Sequence, residues 1–284
     1  MAFRTLISTA DLAARLDDPE VRIFDCRHDL TNPDAGNQAY RSEHIADAQF
    51  LHLERDLSGT KTGNNGRHPL PDPAALAETL ARCGVSNDSQ VIAYDDAGGM
   101  FAARLWWLLR WLGHDDVAVL DGGLSAWRQA GLPLTSRAPD TISNRFDWRL
   151  NPMTVDVDYV QRHLPRTDML LIDARAPDRF RGENETLDPV GGHIPGAVNR
   201  FFKDNLDADG CFKPAAKLRE ELGAILKDRA PATVVNQCGS GVTACHNLLA
   251  LEIAGLYGAR LYPGSWSEWC SDPARAIAAR TDPP

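Results

Sequence analysis

Apolar and polar positions along the chain alternate between two periods. Residues 21–25, 90–94 and 117–120, and again 169–173, 233–237 and 259–262, are short runs rich in apolar and β-branched side chains that read as strands. Between them, 73–83, 101–112, 215–226 and 243–254 carry apolar residues at helical spacing. Strands alternating with helices imply parallel sheets flanked by helices, so each half of the chain reads as α/β.

The two halves also resemble each other. Ile23-Phe-Asp-Cys-Arg27 parallels Leu171-Ile-Asp-Ala-Arg175, His44-Ile-Ala-Asp-Ala48 parallels His193-Ile-Pro-Gly-Ala197, and Asp121-Gly-Gly-Leu-Ser-Ala-Trp127 parallels Pro263-Gly-Ser-Trp-Ser-Glu-Trp269. Three matches in the same order at a near-constant offset indicate duplication. The stretch carrying Pro139, Asn144, Asn151 and Pro152 has no clear periodicity and suits a surface linker. The expected organisation is therefore an N-terminal domain over 1–137, a linker over 138–152 and a C-terminal domain over 153–284.

Composition narrows the function classes. Across 284 residues, 43% hydrophobic and 24% charged content are ordinary for a globular protein and argue against disorder. A formal charge of −9 without clustered Lys and Arg argues against a nucleic-acid partner. The most apolar stretch, near Leu105, is interrupted by Arg104 and Arg110 and is too short for a bilayer, so no membrane partner is expected. The first residues lack the apolar centre of a signal peptide, and a cytoplasmic protein is expected. Six cysteines without a Cys-x-x-Cys pair suggest reduced thiols rather than a disulfide framework or a zinc site. No metal or organic cofactor is implied.

The candidate chemistry sits at Asn236-Gln-Cys-Gly-Ser-Gly-Val-Thr-Ala-Cys245. A strand ends, a glycine-rich loop curls, and a helix begins, which aims backbone N–H groups at Cys238 Sγ and favours a thiolate. In an open parallel sheet the functional crevice lies at the carboxyl ends of strands, where Cys238 falls. Aligning Tyr94 with Asn236 puts Asp96 opposite Cys238, so the first copy lacks a nucleophile and one domain is catalytic. Cys245 reads as core of the following helix. His44 and His193, repeated between the halves, read as structural, as do the Asp-x-Arg pairs. Trp266 is a candidate pocket wall.

These features, with Cys238-Gly-Ser-Gly-Val-Thr243, Gly192-His-Ile-Pro-Gly196 and Gly264-Ser-Trp266, resemble tandem-domain rhodanese-type sulfurtransferases over nearly the whole chain. The resemblance implies that Cys238 takes a sulfane sulfur as a persulfide and passes it to cyanide, a small thiol or thioredoxin. Thiosulfate-preferring members typically have Arg and Lys after the cysteine; here stand Gly239 and Ser240. A loop without cations forgoes charge-assisted hydrogen bonds of about 1.5–3 kcal/mol each to a dianion, which points to 3-mercaptopyruvate as donor.

By the same resemblance, Ser240 works with His68, in Arg67-His-Pro-Leu-Pro71, and with an upstream acid, Glu54 in the first instance and Asp56 as the alternative. Arg179 matches the substrate arginine, and Gly239, Gly241, Val242 and Thr243 form the donor loop. The family's second arginine is replaced by the stretch Glu183-Asn-Glu-Thr-Leu-Asp-Pro189, which leaves Arg200 or Arg67 to supply the missing charge. Competing readings are thiosulfate sulfurtransfer and a persulfide carrier that does not turn over a small donor. A Cys-x5-Arg phosphatase is opposed by Ala244 where the arginine would stand.

Overall fold

The computed structural model describes residues 2–140, 143–164, 166 and 168–279. It divides into two units: Met1–Gly59, Leu70–Pro152 and Ala208–Phe212 form the first, and Thr60–Pro69, Met153–Asp207 and Lys213–Pro284 the second. The chain thus crosses between units more than once. Thr60–Pro69, which the sequence puts inside the first half, packs with the second unit.

The first unit contains β1 (Leu6–Ile7), β2 (Val21–Asp25), β3 (His44–Ile45), β4 (Gln49–Phe50), β5 (Gln90–Tyr94), β6 (Val117–Leu120) and β7 (Leu134–Thr135). Five of them form a parallel sheet in the order β1-β6-β5-β2-β4, while β3 and β7 pair antiparallel. Every residue of β5 is buried, as expected for a central strand covered on both faces. Ile23, Ile92, Ala118, Leu124 and Trp127 belong to one apolar core.

Residues 143–152, part of the expected linker, are strapped to this unit. Asn144 N–H donates to the Ala81 carbonyl, Arg149 N–H to that of Leu112 and Asn151 N–H to that of Trp111, and Phe146 is buried edge-on to His114. Residues 141 and 142 of that linker lie outside the described residues.

The second unit holds β8 (Leu170–Asp173), β9 (Val198–Asn199), β10 (Val234–Gln237) and β11 (Arg260–Leu261), a parallel sheet in the order β11-β10-β8-β9. Strand β10 starts at Val234 because Pro231–Thr233 closes a 3-10 turn. Leu171, Val235, Tyr262, Trp266 and Trp269 share its core. Among the described residues no helix is long and apolar enough to cross a membrane.

The duplication extends to individual hydrogen bonds. Arg27 donates Nη2–H to Asp25 Oδ2 at 2.7 Å and to the Glu43 carbonyl at 2.6 Å; Arg175 donates Nη2–H to Asp173 Oδ2 and to the Gly192 carbonyl, both at 2.7 Å. His44 Nδ1 lies 2.7 Å from the Tyr40 carbonyl with its ring stacked on Tyr40, and His193 Nδ1 lies 2.8 Å from the Phe180 carbonyl with its ring stacked on Phe180. Each buried arginine therefore ties the end of a central strand to the segment that begins with the repeated histidine.

Breaking a buried pair by removing one partner strands the other charge, at about 3–5 kcal/mol. Arg27→Met, which leaves Asp25 buried beside Tyr94, is expected to lower the unfolding free energy by that amount in urea titration, whereas an unchanged midpoint would show that Asp25 needs no counter-charge.

Candidate active site

Cys238 follows β10 directly and precedes the helix Thr243–Ile253 by a short turn. The turn requires its glycine: Gly241 has φ +79°, and a Cβ there would lie 2.4 Å from the Pro263 carbonyl oxygen. With that curl in place, the N–H groups of Gly241 and Ser240 point at Cys238 Sγ at 3.1 and 3.5 Å. Donors so placed, ahead of a helix N-terminus, stabilise negative charge on sulfur. Cys238 itself is only 2% exposed.

The segment after β11 anchors the loop from the other side. Cys238 N–H donates to Ser265 Oγ at 3.2 Å, Trp266 N–H to the Cys238 carbonyl at 3.0 Å, and Ser267 N–H to the Gly239 carbonyl at 3.0 Å. Trp266 is fully buried with the Arg175 guanidinium 4.7 Å above its ring, so it is core beneath the loop rather than a pocket wall. Cys245 Sγ–H donates to the Gly241 carbonyl at 3.3 Å from inside the helix. Burial pushes the Cys83 and Cys270 thiols up to about 11 and raises Cys26 as well, which marks these three as poor nucleophiles.

Thr60–Pro69 brings the remaining groups. Arg67 N–H donates to Ser267 Oγ at 3.0 Å, and His68, 3% exposed, places Nδ1 2.8 Å from Ser240 Oγ. A hydroxyl two residues from the cysteine is thereby coupled to an imidazole. Above the loop stand two cations: a Cβ on Gly239 would lie 2.9 Å from Arg67 Nη2 and 3.5 Å from Arg179 Nη2.

The absence of Arg and Lys from the loop therefore does not leave it without cations; residues distant in sequence supply them. Both are matched by acids from the stretch after Arg179. Arg179 Nη2 donates to both oxygens of Glu185 at 2.8 and 2.9 Å and approaches Asp188 at 3.4 Å, while Arg67 Nη1 donates to Asp188. Burial pushes Glu185 up, but hydrogen bonds from Arg179 and from backbone N–H groups outweigh it and leave the carboxyl below its usual range. At Asp188 burial prevails over Arg67 and holds the carboxyl above that range. Burial also opposes charge on Arg175, yet Asp173, Glu185 and Cys238 keep it above the ordinary arginine value.

Of the residues expected from sequence, Cys238, Gly239, Ser240, Gly241, His68 and Arg179 converge here, with Val242 and Thr243 leading into the helix. Arg200 is committed elsewhere: Nε donates to Asn205, and Nη2 to the Asp204 carbonyl and to Glu221 at 2.8 Å, within a buried polar cluster that includes His246 and Asn247. Glu54 and Asp56 belong to the first unit, where Glu54 N–H donates to His52 Nδ1 and Asp56 accepts from His52 N–H. Glu185 and Asp188 escaped sequence reading, although their charged stretch was the signal.

The first-unit counterpart of Cys238 is Asp95, not Asp96. Cys26 N–H donates to the Tyr94 carbonyl as Ala174 N–H does to that of Gln237, and Leu124 N–H to the Asp95 carbonyl as Trp266 N–H does to that of Cys238. Sequence alignment slipped by one because it had no hydrogen-bond register. Asp95 accepts N–H groups from Ala97, Gly99, Phe101 and Ala102, a carboxylate where the other copy holds sulfur.

A parallel α/β fold present twice, with a cysteine cradled by backbone N–H groups at a strand's carboxyl end, defines the class. The chain belongs to the rhodanese-like domain family, which it matches over residues 8–130 and 156–272. It is 49% identical to the "Probable 3-mercaptopyruvate sulfurtransferase" of Pseudomonas aeruginosa, covering 98% of this chain and 99% of that protein. It is 34% identical to mouse thiosulfate sulfurtransferase, with 94% and 92% covered. Among solved structures, 3-mercaptopyruvate sulfurtransferase from Leishmania major superposes with a TM-score of 0.83 at 30% identity, over 94% of this chain and 74% of that one.

The curl at Gly241 generates a prediction about the thiol. Gly241→Ala forces an L-residue into left-handed backbone and against Pro263, so the N–H cradle opens. Iodoacetamide alkylation of Cys238 at neutral pH, followed by mass spectrometry, is expected to slow several-fold relative to wild type; an unchanged rate would show that the two N–H groups do not activate the sulfur.

Proposed function

We propose that this chain is a sulfurtransferase that takes sulfur from 3-mercaptopyruvate through a Cys238 persulfide. The observation that carries the reading is the convergence of Cys238 in its N–H cradle, the Ser240–His68 hydrogen bond and two guanidiniums over Gly239. The Cys238 thiolate attacks the donor thiol sulfur. A sulfur–sulfur bond forms, the carbon–sulfur bond breaks, and its electron pair leaves on carbon as the enolate of pyruvate, which then takes up a proton. Ser240, hydrogen-bonded to His68, relays that proton, and Glu54 is the acid assigned to the same relay. Arg67 and Arg179 grip the donor's carboxylate, with Gly239, Gly241, Val242 and Thr243 shaping the floor. The persulfide then passes to cyanide or a thiol such as that of thioredoxin, in the cytoplasm. In this reading the C-terminal domain over 153–284 carries the nucleophile, and the N-terminal domain over 1–137 is a copy without one.

A second reading, thiosulfate as donor, is favoured by the two arginines, because they offer the cations that the loop sequence lacks. Steady-state kcat/KM for each donor with cyanide as acceptor separates the two. Mercaptopyruvate is expected to be preferred, and Cys238→Ser to abolish turnover of either donor; a thiosulfate preference would overturn the donor assignment.

Positioned proton transfer contributes about 10²–10⁴-fold. His68→Ala is therefore expected to lower kcat for mercaptopyruvate at least 100-fold with KM little changed, while Cys238 alkylation proceeds at near wild-type rate. A change confined to KM would reassign His68 to binding.

A further inference from the structure

The arginines over the cysteine loop are not free charges. Glu185 and Asp188 side chains are only 4% and 2% exposed, and they meet Arg179 and Arg67, which are 20% and 28% exposed. The acids are built in. Glu185 Oε1 also accepts the N–H groups of Leu187 and Asp188 at 2.9 and 3.1 Å, which fixes the turn carrying both carboxylates, and Arg175 Nη1 reaches Glu185 at 3.6 Å. Around the loop, Arg67, Arg175 and Arg179 are thus balanced by Asp188, Asp173 and Glu185.

A balanced site still offers the N–H forks of two guanidiniums to a planar carboxylate, but little net positive potential. A dianion needs that potential more than a monoanion does, because its hydration is stronger and its repulsion by the Cys238 thiolate is doubled. We propose that Glu185 and Asp188 determine donor specificity: by neutralising Arg179 and Arg67 they admit a singly charged carboxylate donor and disfavour doubly charged ones such as thiosulfate. The inference rests on the reading that an anionic donor binds over Gly239. It reconciles two arginines at the loop with a preference for mercaptopyruvate.

The test is the ratio of kcat/KM for thiosulfate to that for mercaptopyruvate, with cyanide as acceptor, in wild type, Asp188→Asn, Glu185→Gln and Asp188→Glu. Asp188→Asn is expected to raise the ratio roughly tenfold through a lower thiosulfate KM, because removing one negative charge helps a dianion about twice as much as a monoanion. Glu185→Gln shifts it the same way, and Asp188→Glu leaves it unchanged. An unchanged ratio, including an equal loss for both donors as a collapsed loop would produce, overturns the proposal; if Asp188→Asn fails to fold, Glu185→Gln decides. A wild type that prefers thiosulfate would overturn the donor assignment alone, since the shift in ratio still judges the acid pair. If neither donor is turned over, protection of Cys238 from iodoacetamide by sulfate against pyruvate replaces kinetics. Stronger sulfate protection in Asp188→Asn supports the role, and identical protection overturns it.

Discussion

The buried Asp173–Arg175 pair is the constraint on which the second unit is assembled. Its aspartate ends the central strand β8, and its guanidinium is hydrogen-bonded to the Gly192 carbonyl, stacked on Trp266 and close to Glu185. One side chain therefore gathers the strand end, the Gly-His-Ile-Pro-Gly segment, the helix after β11 and the acidic turn. A charge this deeply buried is tolerated only while its partners stay in place, which makes the arrangement cooperative. Trp266 in turn donates its backbone N–H to the Cys238 carbonyl, so the position of the sulfur depends on the arginine two contacts away.

The same construction in the first unit, with Asp25 and Arg27, separates what the fold requires from what the chemistry requires. Both copies keep the aspartate, the arginine and the stacked histidine, and both direct backbone N–H groups into a loop at the end of a central strand. They differ in the group received. Asp95 takes four N–H donors on its carboxyl group, whereas Cys238 takes two on its sulfur. The same N–H cradle thus receives a carboxyl group in one copy and a thiol in the other.

The site also changes the meaning of the glycine-rich loop. Read alone, Gly239-Ser240-Gly241 looks electrically neutral; folded, the Arg67 guanidinium comes within 2.9 Å of where a Gly239 Cβ would stand, with Arg179 beside it at 3.5 Å. The loop's smallness lets Arg67 approach closely, and the acids after Arg179 pair with both guanidiniums.

The sequence by itself determined the parallel α/β architecture, the duplication and the glycine-rich loop around Cys238, because hydrophobic period, an internal repeat and a glycine requirement are local signals. Strands β2, β5 and β6 start and stop where apolar runs do, and Ser240 and His68 were legible through motif resemblance. Tertiary structure alone decided that Thr60–Pro69 packs with the second unit, that Arg67 stands over the loop while Arg200 is held by Glu221, and that Asp95 rather than Asp96 matches Cys238. Each depends on which long side chain meets which partner across long sequence separation, or on a hydrogen-bond register. Period and spacing carry no information about either, since charge pairing is settled only when burial forces every cation to find its acid.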